Sequence, residues 1–364
     1  MTGKHRIVVL GAGYAGLAAA RRFASKAPDA QITVVDRRAR YVERVRLHQL
    51  AAGQRIPEWD LRELLEGKGI RFVQAWATEI DTVTERVILD GAPALEYDAL
   101  VYALGSKADQ AGMPGAAEHA FSVATPEDAV QLLEQAGTGR MVVVGGGATG
   151  IELAAEVAQA RPDSRVLLLD SREPGAWMSP RARAHVRRAL ERFGVEIRSN
   201  SKVIEVSAAG VLLADGELIE SAVTVWTTGF GVPDLARRSG IAVESNGRML
   251  TDATLRSVSH PNVYAAGDSA VIGGPGDREL RMACATALPT GKYAADAVVA
   301  RMRGREPRKL RFRYVFQCIS LGRGDGVIQF VHADDAPGRT VLTGRTAAWF
   351  KERIVRGAGR AARP

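Results

Sequence analysis

The chain has 364 residues, of which 46% are hydrophobic and 25% are charged. This length exceeds what one hydrophobic core usually holds, so we expect at least two domains, and the balanced composition excludes a disordered chain. The sequence contains no run of 18 apolar residues, which is about the length that a membrane-spanning helix requires. The two cysteines, Cys284 and Cys318, lie 34 positions apart and offer neither a disulfide framework nor a zinc site, so no metal is predicted.

The net charge of +8 is unevenly distributed along the chain. Residues 301–313 carry a net +6 and residues 345–364 a net +5, which leaves about −3 on the remainder. This distribution disfavours nucleic-acid binding. It leaves open either a local basic patch facing an anionic partner or lipid headgroups, or a solvated charged face.

Two segments repeat each other: "HRIVVLGAGYAGLAAARRF" from His5 and "RMVVVGGGATGIELAAEVA" from Arg140. Each predicts a buried strand, a glycine turn and a helix that opens directly from the turn. A second apolar strand then ends in an acid, Asp36 or Asp170, 20 residues after the last motif glycine. Two Rossmann-type units are therefore predicted, and the glycines explain the apolar N-terminal run better than a signal peptide does.

Strand, turn and helix signals fill the rest of the chain. Asp-Gly pairs at residues 90–91 and 215–216, each between alternating apolar positions, predict small hairpin layers. Helices are predicted after Pro126, from Pro180 to Phe193 and from Pro289 to Arg303, each with a proline near its start.

The glycine fingerprints have a geometric mechanism. The first glycine permits a tight turn, the second lets a diphosphate approach the backbone, and the third lets the helix pack on the strand. In the two copies these are Gly11, Gly13 and Gly16, and Gly145, Gly147 and Gly150. Asp36 and Asp170 are expected to accept hydrogen bonds from adenosine riboses, and an acid there opposes a 2′-phosphate, so NADH is favoured at the second site. Arg172 leaves NADPH open.

A third signature is "HPNVYAAGDSA", residues 260–270, an apolar strand that ends in Ala-x-Gly-Asp. With GAGYAG, GGGATG and the later WTTGFG, it resembles the pyridine nucleotide-disulfide oxidoreductase superfamily over residues 5 to about 300. The resemblance implies an α/β fold with two Rossmann-like domains, FAD on the first fingerprint, NAD(P)H on the second, and a small C-terminal domain.

The same resemblance implies the domain boundaries. Residues 1–110 and 231–303 would form the FAD-binding domain and residues 111–230 the NAD(P)H-binding domain. Residues 304–364 would form a C-terminal interface or membrane-associating segment.

The resemblance also assigns residues to the cofactors. Asp268 would bind the ribityl chain of FAD, although an ordinary capping acid is the alternative. The helix predicted from Pro289 would aim its N-terminal N–H groups at the flavin pyrimidine edge, with a plain buried loop as the alternative. The residues expected around the cofactors are Gly11, Gly13, Tyr14, Ala15, Gly16, Asp36, Arg37, Arg46, Gly105, Gly145, Gly147, Thr149, Gly150, Asp170, Gly229, Gly267, Asp268, Ala287, Leu288 and Pro289.

The stretch "ERVRLHQLAAG", residues 43–53, identifies the branch of the superfamily. Disulfide reductases carry a pair of cysteines here or in the second Rossmann unit, and this chain has none in either place. The chain thus resembles the type II NADH dehydrogenase and apoptosis-inducing-factor-like branch. Its "ACATALPTG" departs from the AQxAxQxG-like quinone-site segment of type II enzymes, and its C-terminal portion is shorter than theirs.

Three polar residues are the catalytic candidates. Reducing a quinone or an imine requires protons, so His48 is a candidate donor near the flavin, with a structural histidine as the alternative. Arg46 could instead pair with a carboxylate or with the cofactor phosphates. Glu152 matches an acid that lies near the nicotinamide in related flavoproteins, and a first-turn helix acid is the alternative.

The predicted function is an FAD-dependent NAD(P)H oxidoreductase that passes electrons directly to a quinone, to oxygen or to an aromatic acceptor. The alternatives are a flavoprotein of specialised metabolism and an NADH-sensing interaction protein with little turnover. We expect a cytoplasmic protein and leave a homodimer open. The basic C-terminal helix could contact the inner face of the membrane, or could dock on its own protein or on a second subunit.

Overall fold

The computed structural model describes residues 4–135, 137 and 139–363. Within these residues the helices, numbered in chain order, are α1 Tyr14–Lys26, α2 Leu47–Ala51, α3 Leu61–Glu66, α4 Ala116–His119, α5 Pro126–Gln135, α6 Ala148–Ala160, α7 Pro180–Arg192, α8 Leu235–Arg238, α9 Cys284–Met302 and α10 Gly344–Ala362. None of these helices is long and apolar enough to cross a membrane.

The strands of the same residues are β1 Arg6–Leu10, β2 Gln31–Asp36, β3 Arg40–Val42, β4 Glu58–Asp60, β5 Arg71–Gln74, β6 Trp76–Asp81, β7 Arg86–Asp90, β8 Ala92–Glu96, β9 Ala99–Tyr102, β10 Lys107–Ala108, β11 Ala120–Phe121, β12 Arg140–Val144, β13 Arg165–Leu169, β14 Glu196–Arg198, β15 Val203–Ser207, β16 Gly210–Leu213, β17 Leu218–Glu220, β18 Val223–Trp226, β19 Phe230–Gly231, β20 Met249–Leu250, β21 Val263–Ala265, β22 Ala270–Val271, β23 Phe316–Ser320, β24 Gly326–Val331 and β25 Pro337–Thr343.

Two five-stranded parallel sheets form the framework. The first has the order β21-β9-β1-β2-β5 and the second the order β11-β18-β12-β13-β14. In both, the strand that feeds the glycine turn is central and buried, because the apolar residues of β1 and β12 are covered from both faces. The two predicted Rossmann units and the α/β fold class are confirmed.

Smaller antiparallel layers accompany the two sheets. The predicted hairpins at residues 90–91 and 215–216 join β7 to β8 and β16 to β17. A three-stranded sheet, β23-β24-β25, follows near the C-terminus, and α10 packs against it. We retain the four-segment division of the chain as a proposal.

Helix α2 joins the two Rossmann units. It follows the first unit in sequence, but its buried residues Leu47, Ala51 and Ala52 belong to the apolar core around the second sheet. Helix α2 packs against α5 and α6 of that second unit. The cysteine-free stretch at residues 43–53 therefore lies at the junction of the two units.

Helix α10 docks on its own protein. Its buried residues follow a spacing of about four along one face: Ala347, Lys351, Val355, Gly359 and Ala362. A side chain at Gly359 would collide with the carboxylate of Glu43, so the helix crosses that residue in close contact. For this face of α10, the structure corresponds to the alternative in which the helix docks on its own protein.

Candidate cofactor and acceptor site

The first and third glycines of each fingerprint are required by the protein itself. Gly11 has φ +98° and Gly145 has φ +117°, conformations that other residues rarely adopt. A Cβ atom at Gly16 would collide with the carbonyl oxygen of Gly11, and one at Gly150 with that of Gly145. These positions fix the tight turn and the close approach of helix to strand.

The second glycines differ, because nothing in the protein requires them. Gly13 and Gly147 have φ values of −80° and −73°, and an added Cβ would meet no atom within 4 Å. Each precedes a helix whose N-terminus has no side-chain cap. Open space in front of uncapped N–H groups suits a diphosphate, and a side chain there would fill it. The two turns therefore fit the diphosphates of FAD and NADH.

The strand-end acids brace the turns. Asp36 accepts hydrogen bonds from the N–H groups of Ala12, at 2.7 Å, and Arg38, at 2.9 Å. Asp170 accepts from the N–H groups of Gly146 and Arg172 in the same manner. Each carboxylate oxygen keeps a further lone pair, so ribose recognition by Asp36 and Asp170 stays a prediction.

Asp268 presents a buried carboxylate oxygen without a partner. Its Oδ2 accepts from the hydroxyl of Ser106 at 2.7 Å and lies 3.8 Å from Arg44 Nη1, whereas Oδ1 has no partner. A buried acceptor left unpaired is costly unless a ligand satisfies it. In the predicted role of Asp268, the ribityl hydroxyls of FAD would donate hydrogen bonds to this oxygen. Asp268 therefore fits the cofactor. Gly105 and Gly267, next to Ser106 and Asp268, both adopt positive φ.

Arg44 and Ser106 were missed by sequence reasoning. Arg44 Nη1 donates to the carbonyl oxygen and the hydroxyl of Ser106, both at 2.9 Å, and burial lowers the pKa of its guanidinium. Ser106 directly follows Gly105, which was predicted to lie at the cofactor, so its position next to that glycine could have identified it. Nothing in the sequence distinguished Arg44 from Arg46, two positions further on.

The helix predicted from Pro289 begins five residues earlier, at Cys284, so that prediction was wrong. Proline lacks the N–H that an interior helical position donates, and it usually marks a helix start. Here the hydroxyl of Thr290 donates to the carbonyl of Thr286 at 2.8 Å and accepts from the N–H of Gly267 at 3.1 Å. The free N–H groups at the helix start therefore precede Pro289.

Helix α9 is fixed against α1. A Cβ at Gly291 would collide with the backbone of Ala15, so the two helices touch at that point. Tyr14, the first residue of α1, is buried with an unpartnered hydroxyl. Positions of Ala287, Leu288 and Pro289 beside the flavin ring stay predictions.

Arg46 is held by carboxylates rather than left free for a phosphate. Its Nε donates to Glu43 Oε2 at 2.6 Å, and its two Nη atoms donate to both oxygens of Glu352 on α10 at 3.0 and 2.8 Å. Arg46 is only 6% exposed, and the side chain of Glu352 is 34% exposed. The arrangement corresponds to the carboxylate alternative, while a phosphate-binding or catalytic role of Arg46 stays a prediction.

His48 and Glu152 meet beside α10. His48 Nδ1 lies 3.8 Å from Glu152 Oε2, while Glu152 Oε1 accepts from Lys351 Nζ and from the N–H of Ser320 at 2.9 Å. Burial lowers the pKa of His48 to about 4. Burial raises the pKa of Glu152, but the charge and hydrogen bond of Lys351 and the N–H of Ser320 together contribute to holding that pKa below its usual value. At neutral pH the imidazole is uncharged and the carboxylate ionised.

The remaining predicted residues line the turns or lie apart from them. An added Cβ at Gly145 would meet Thr227 and Thr228, so the strand exit that carries Gly229 lies against the second turn. Thr149 lies in the first turn of α6. The guanidinium of Arg37 instead stacks over the ring of Trp76 at 5.1 Å.

Comparisons with known proteins agree with this geometry. The family model of the pyridine nucleotide-disulphide oxidoreductases matches residues 5–298. An NADH dehydrogenase-like protein of Mycobacterium tuberculosis is 33% identical over 350 residues, covering 88% of this chain and 87% of the relative. The demethylphylloquinone reductase NdbB of Synechocystis is 28% identical, with 89% and 86% covered.

Solved structures share the fold. NDH2 from Plasmodium falciparum in complex with NADH has a TM-score of 0.83 at 14% identity, covering 96% of this chain and 94% of that one. The sulfide:quinone oxidoreductase of Aquifex aeolicus also has a TM-score of 0.83, at 20% identity, with 97% and 90% covered. The prediction of an NAD(P)H-dependent flavoprotein oxidoreductase is confirmed. The chain belongs to the pyridine nucleotide-disulphide oxidoreductase family.

Proposed function

We propose that this protein is an FAD-dependent NADH:quinone oxidoreductase. The observation that carries the proposal is the buried ion pair of Glu152 and Lys351, which joins α6, the helix that opens from the second glycine turn, to α10. Lys351 lies close enough to Cys284, the first residue of α9, to influence the pKa of that thiol. An ionisable pair in this place can supply protons to an acceptor such as a quinone.

The cysteines support direct electron transfer. Cys284 and Cys318 are both free within the described residues. Burial raises the pKa of the Cys284 thiol to about 12 and raises that of Cys318. Thiolates are the reactive form, so neither cysteine is suited to a dithiol relay.

Different residues of the chain bind the cofactors and supply the proton. Bound FAD would take a hydride from NADH and pass the electrons on, chemistry that belongs to the cofactor. The first glycine turn and Asp268 would hold and orient FAD, and the second glycine turn would hold NADH. The Glu152–Lys351 pair holds a transferable proton at the acceptor side.

Replacing Glu152 tests this division. Reduction of a quinone consumes protons, whereas ferricyanide takes only electrons. We expect Glu152→Gln to slow quinone reduction by roughly 10²-fold or more and to leave ferricyanide reduction and flavin content within about twofold. Equal losses with both acceptors would contradict the assigned role, and full quinone activity would remove the pair from the mechanism.

We further propose that the outer face of α10 contacts anionic lipid headgroups. Its buried face is already used by the protein, but the opposite face carries Trp349, 60% exposed, with Arg353 stacked over its ring at 4.9 Å. Arg345, Arg356 and Arg360 are also exposed on this helix. A cationic face with an exposed tryptophan suits a membrane interface.

Vesicle sedimentation tests the membrane contact. Arg353→Ala with Arg360→Ala should reduce co-sedimentation with phosphatidylserine vesicles severalfold. The matched control, Arg165→Ala with Lys202→Ala, removes the same charge from exposed positions of the second unit and should bind as wild type does. Equal losses in both variants would indicate non-specific attraction and contradict the proposal.

A further inference from the structure

His48 faces two carboxylates of one helix. Glu152 and Glu156 lie four residues apart on α6, so their side chains project from the same side one turn apart. His48, on α2, packs against that side with Nδ1 3.8 Å from Glu152 Oε2. Both carboxylates act on the imidazole by raising its pKa. His48 is therefore influenced by the charges of both acids.

The ring of His48 keeps one nitrogen unpaired. The residue is 4% exposed, and its buried Nε2 has no hydrogen-bond partner. Buried polar atoms are nearly always paired, so a ring nitrogen without a partner indicates a use other than packing. An apolar side chain would fill the same place without that cost.

The charges around the ring keep it neutral. Burial dominates and lowers the pKa of His48 to about 4, and the cations Lys351 and Arg323 lower it further against the opposing effect of Glu152 and Glu156. The ionised Glu152 favours the proton on Nδ1, which leaves the lone pair on Nε2. One nitrogen can therefore give a proton while the other takes one.

The Glu156 end of this line of polar groups is connected to the protein surface through its hydrogen-bond partners. Glu156 is fully buried, but its carboxylate accepts from Gln54 Nε2 and from Arg323, whose Nε lies 2.7 Å away. The Arg323 side chain is 41% exposed, so it links the buried carboxylate of Glu156 to the surface. The Glu152–Lys351 pair marks the acceptor end.

We propose that His48 is a proton relay that recharges the Glu152–Lys351 pair from the solvent side, through Glu156. This inference rests on the proposed function. In that reaction NADH, a quinone and one proton from solvent give NAD⁺ and a quinol, and the relay supplies that proton. In the step, the Nδ1–H bond of His48 breaks and an O–H bond forms at Glu152 Oε2. Nε2 takes a proton from the Glu156 side, so the ring stays neutral, with its proton now on Nε2, and one proton has crossed from one side of the ring to the other.

The test is the variant His48→Asn in the FAD-loaded enzyme. Asparagine can still donate to Glu152 but cannot pass a proton through. Quinone reduction should fall about 10²-fold, with a larger solvent deuterium isotope effect, while flavin reduction by NADH and ferricyanide reduction stay within twofold. Glu156→Gln should reproduce the split between acceptors. Leu50→Ala, a packing change on the same helix, should not.

A second readout does not depend on turnover. Nitrogen-15 NMR of the histidine rings should show His48 uncharged from pH 8 to about pH 5, with the proton on Nδ1. A charged ring at pH 7, or equal losses with quinone and ferricyanide in His48→Asn, would overturn the relay. Unchanged quinone reduction in that variant would overturn the relay alone. A wild-type enzyme that reduces no quinone would overturn the proposed function together with the relay.

Discussion

Replacing Arg46 by methionine should destabilise the protein without removing a cofactor ligand. The guanidinium binds Glu43 and Glu352 together, and it ties residues 43–46 to α10. Without it, the carboxylate of Glu43, only 2% exposed, is left buried and unpaired. Loss of one member of a buried ion pair typically costs roughly 3–5 kcal/mol.

Glu352→Gln provides the graded comparison. Its carboxylate is 34% exposed and also binds Arg356, so solvent and a second cation share its charge. We expect a loss of only about 1–2 kcal/mol. The double variant should lose less than the sum of the single variants, because both remove the same contact.

Thermal unfolding at saturating FAD measures the change in stability, and flavin fluorescence measures the affinity for FAD. Arg46→Met should lower the midpoint by about 4–7 °C while the dissociation constant for FAD changes less than threefold. If the midpoint is unchanged and FAD binding is weakened tenfold or more, Arg46 is a cofactor ligand and the reasoning from its ion pairs is wrong.

Three further predictions concern the cofactor turns and the buried histidine. Gly13→Ala should weaken FAD binding and Gly147→Ala should weaken only NADH binding, both at an unchanged unfolding midpoint; a lowered midpoint would mean that the fold itself needs these glycines. Stability should decrease by up to about 1.4 kcal/mol per unit as the pH falls from 6.5 to about 4, because the unfolded chain binds a proton at His48 that the folded chain excludes. Urea titrations of His48→Asn should lack this contribution, and an identical pH dependence would refute it. Asp170→Ser should raise the ratio of kcat/KM for NADPH to that for NADH by about tenfold, because the carboxylate no longer repels a 2′-phosphate. An unchanged ratio would mean that other residues determine the selectivity.

The sequence predicts what local spacing determines. Gly11 is required by its positive φ and Gly16 by its contact with the carbonyl oxygen of Gly11, both within one strand-turn-helix unit, so their pattern carries the fold of that unit. Because the pattern occurs twice at the same spacing, the α/β class and the two sheets could be predicted. The start of α9 could not, because Pro289 lies inside the helix, whose position is set by packing against the distant α1.

Contacts between distant segments were beyond the sequence. Arg46 and Glu352 lie 306 positions apart, and Glu152 and Lys351 lie 199 apart. No periodicity links such positions, and a single sequence offers many acids and bases that could pair. Arg46 and His48 both lie in residues 43–53. Only the structure shows that the guanidinium of Arg46 is bound by two carboxylates, whereas Nε2 of His48 has no hydrogen-bond partner.

The most direct test of the central claim is an anaerobic titration of the FAD-loaded protein with NADH, followed by addition of a quinone. We predict that NADH bleaches the flavin absorbance near 450 nm and that the quinone restores it within the time of one turnover. A flavin that NADH does not reduce, or a reduced flavin that no quinone reoxidises, would contradict the account.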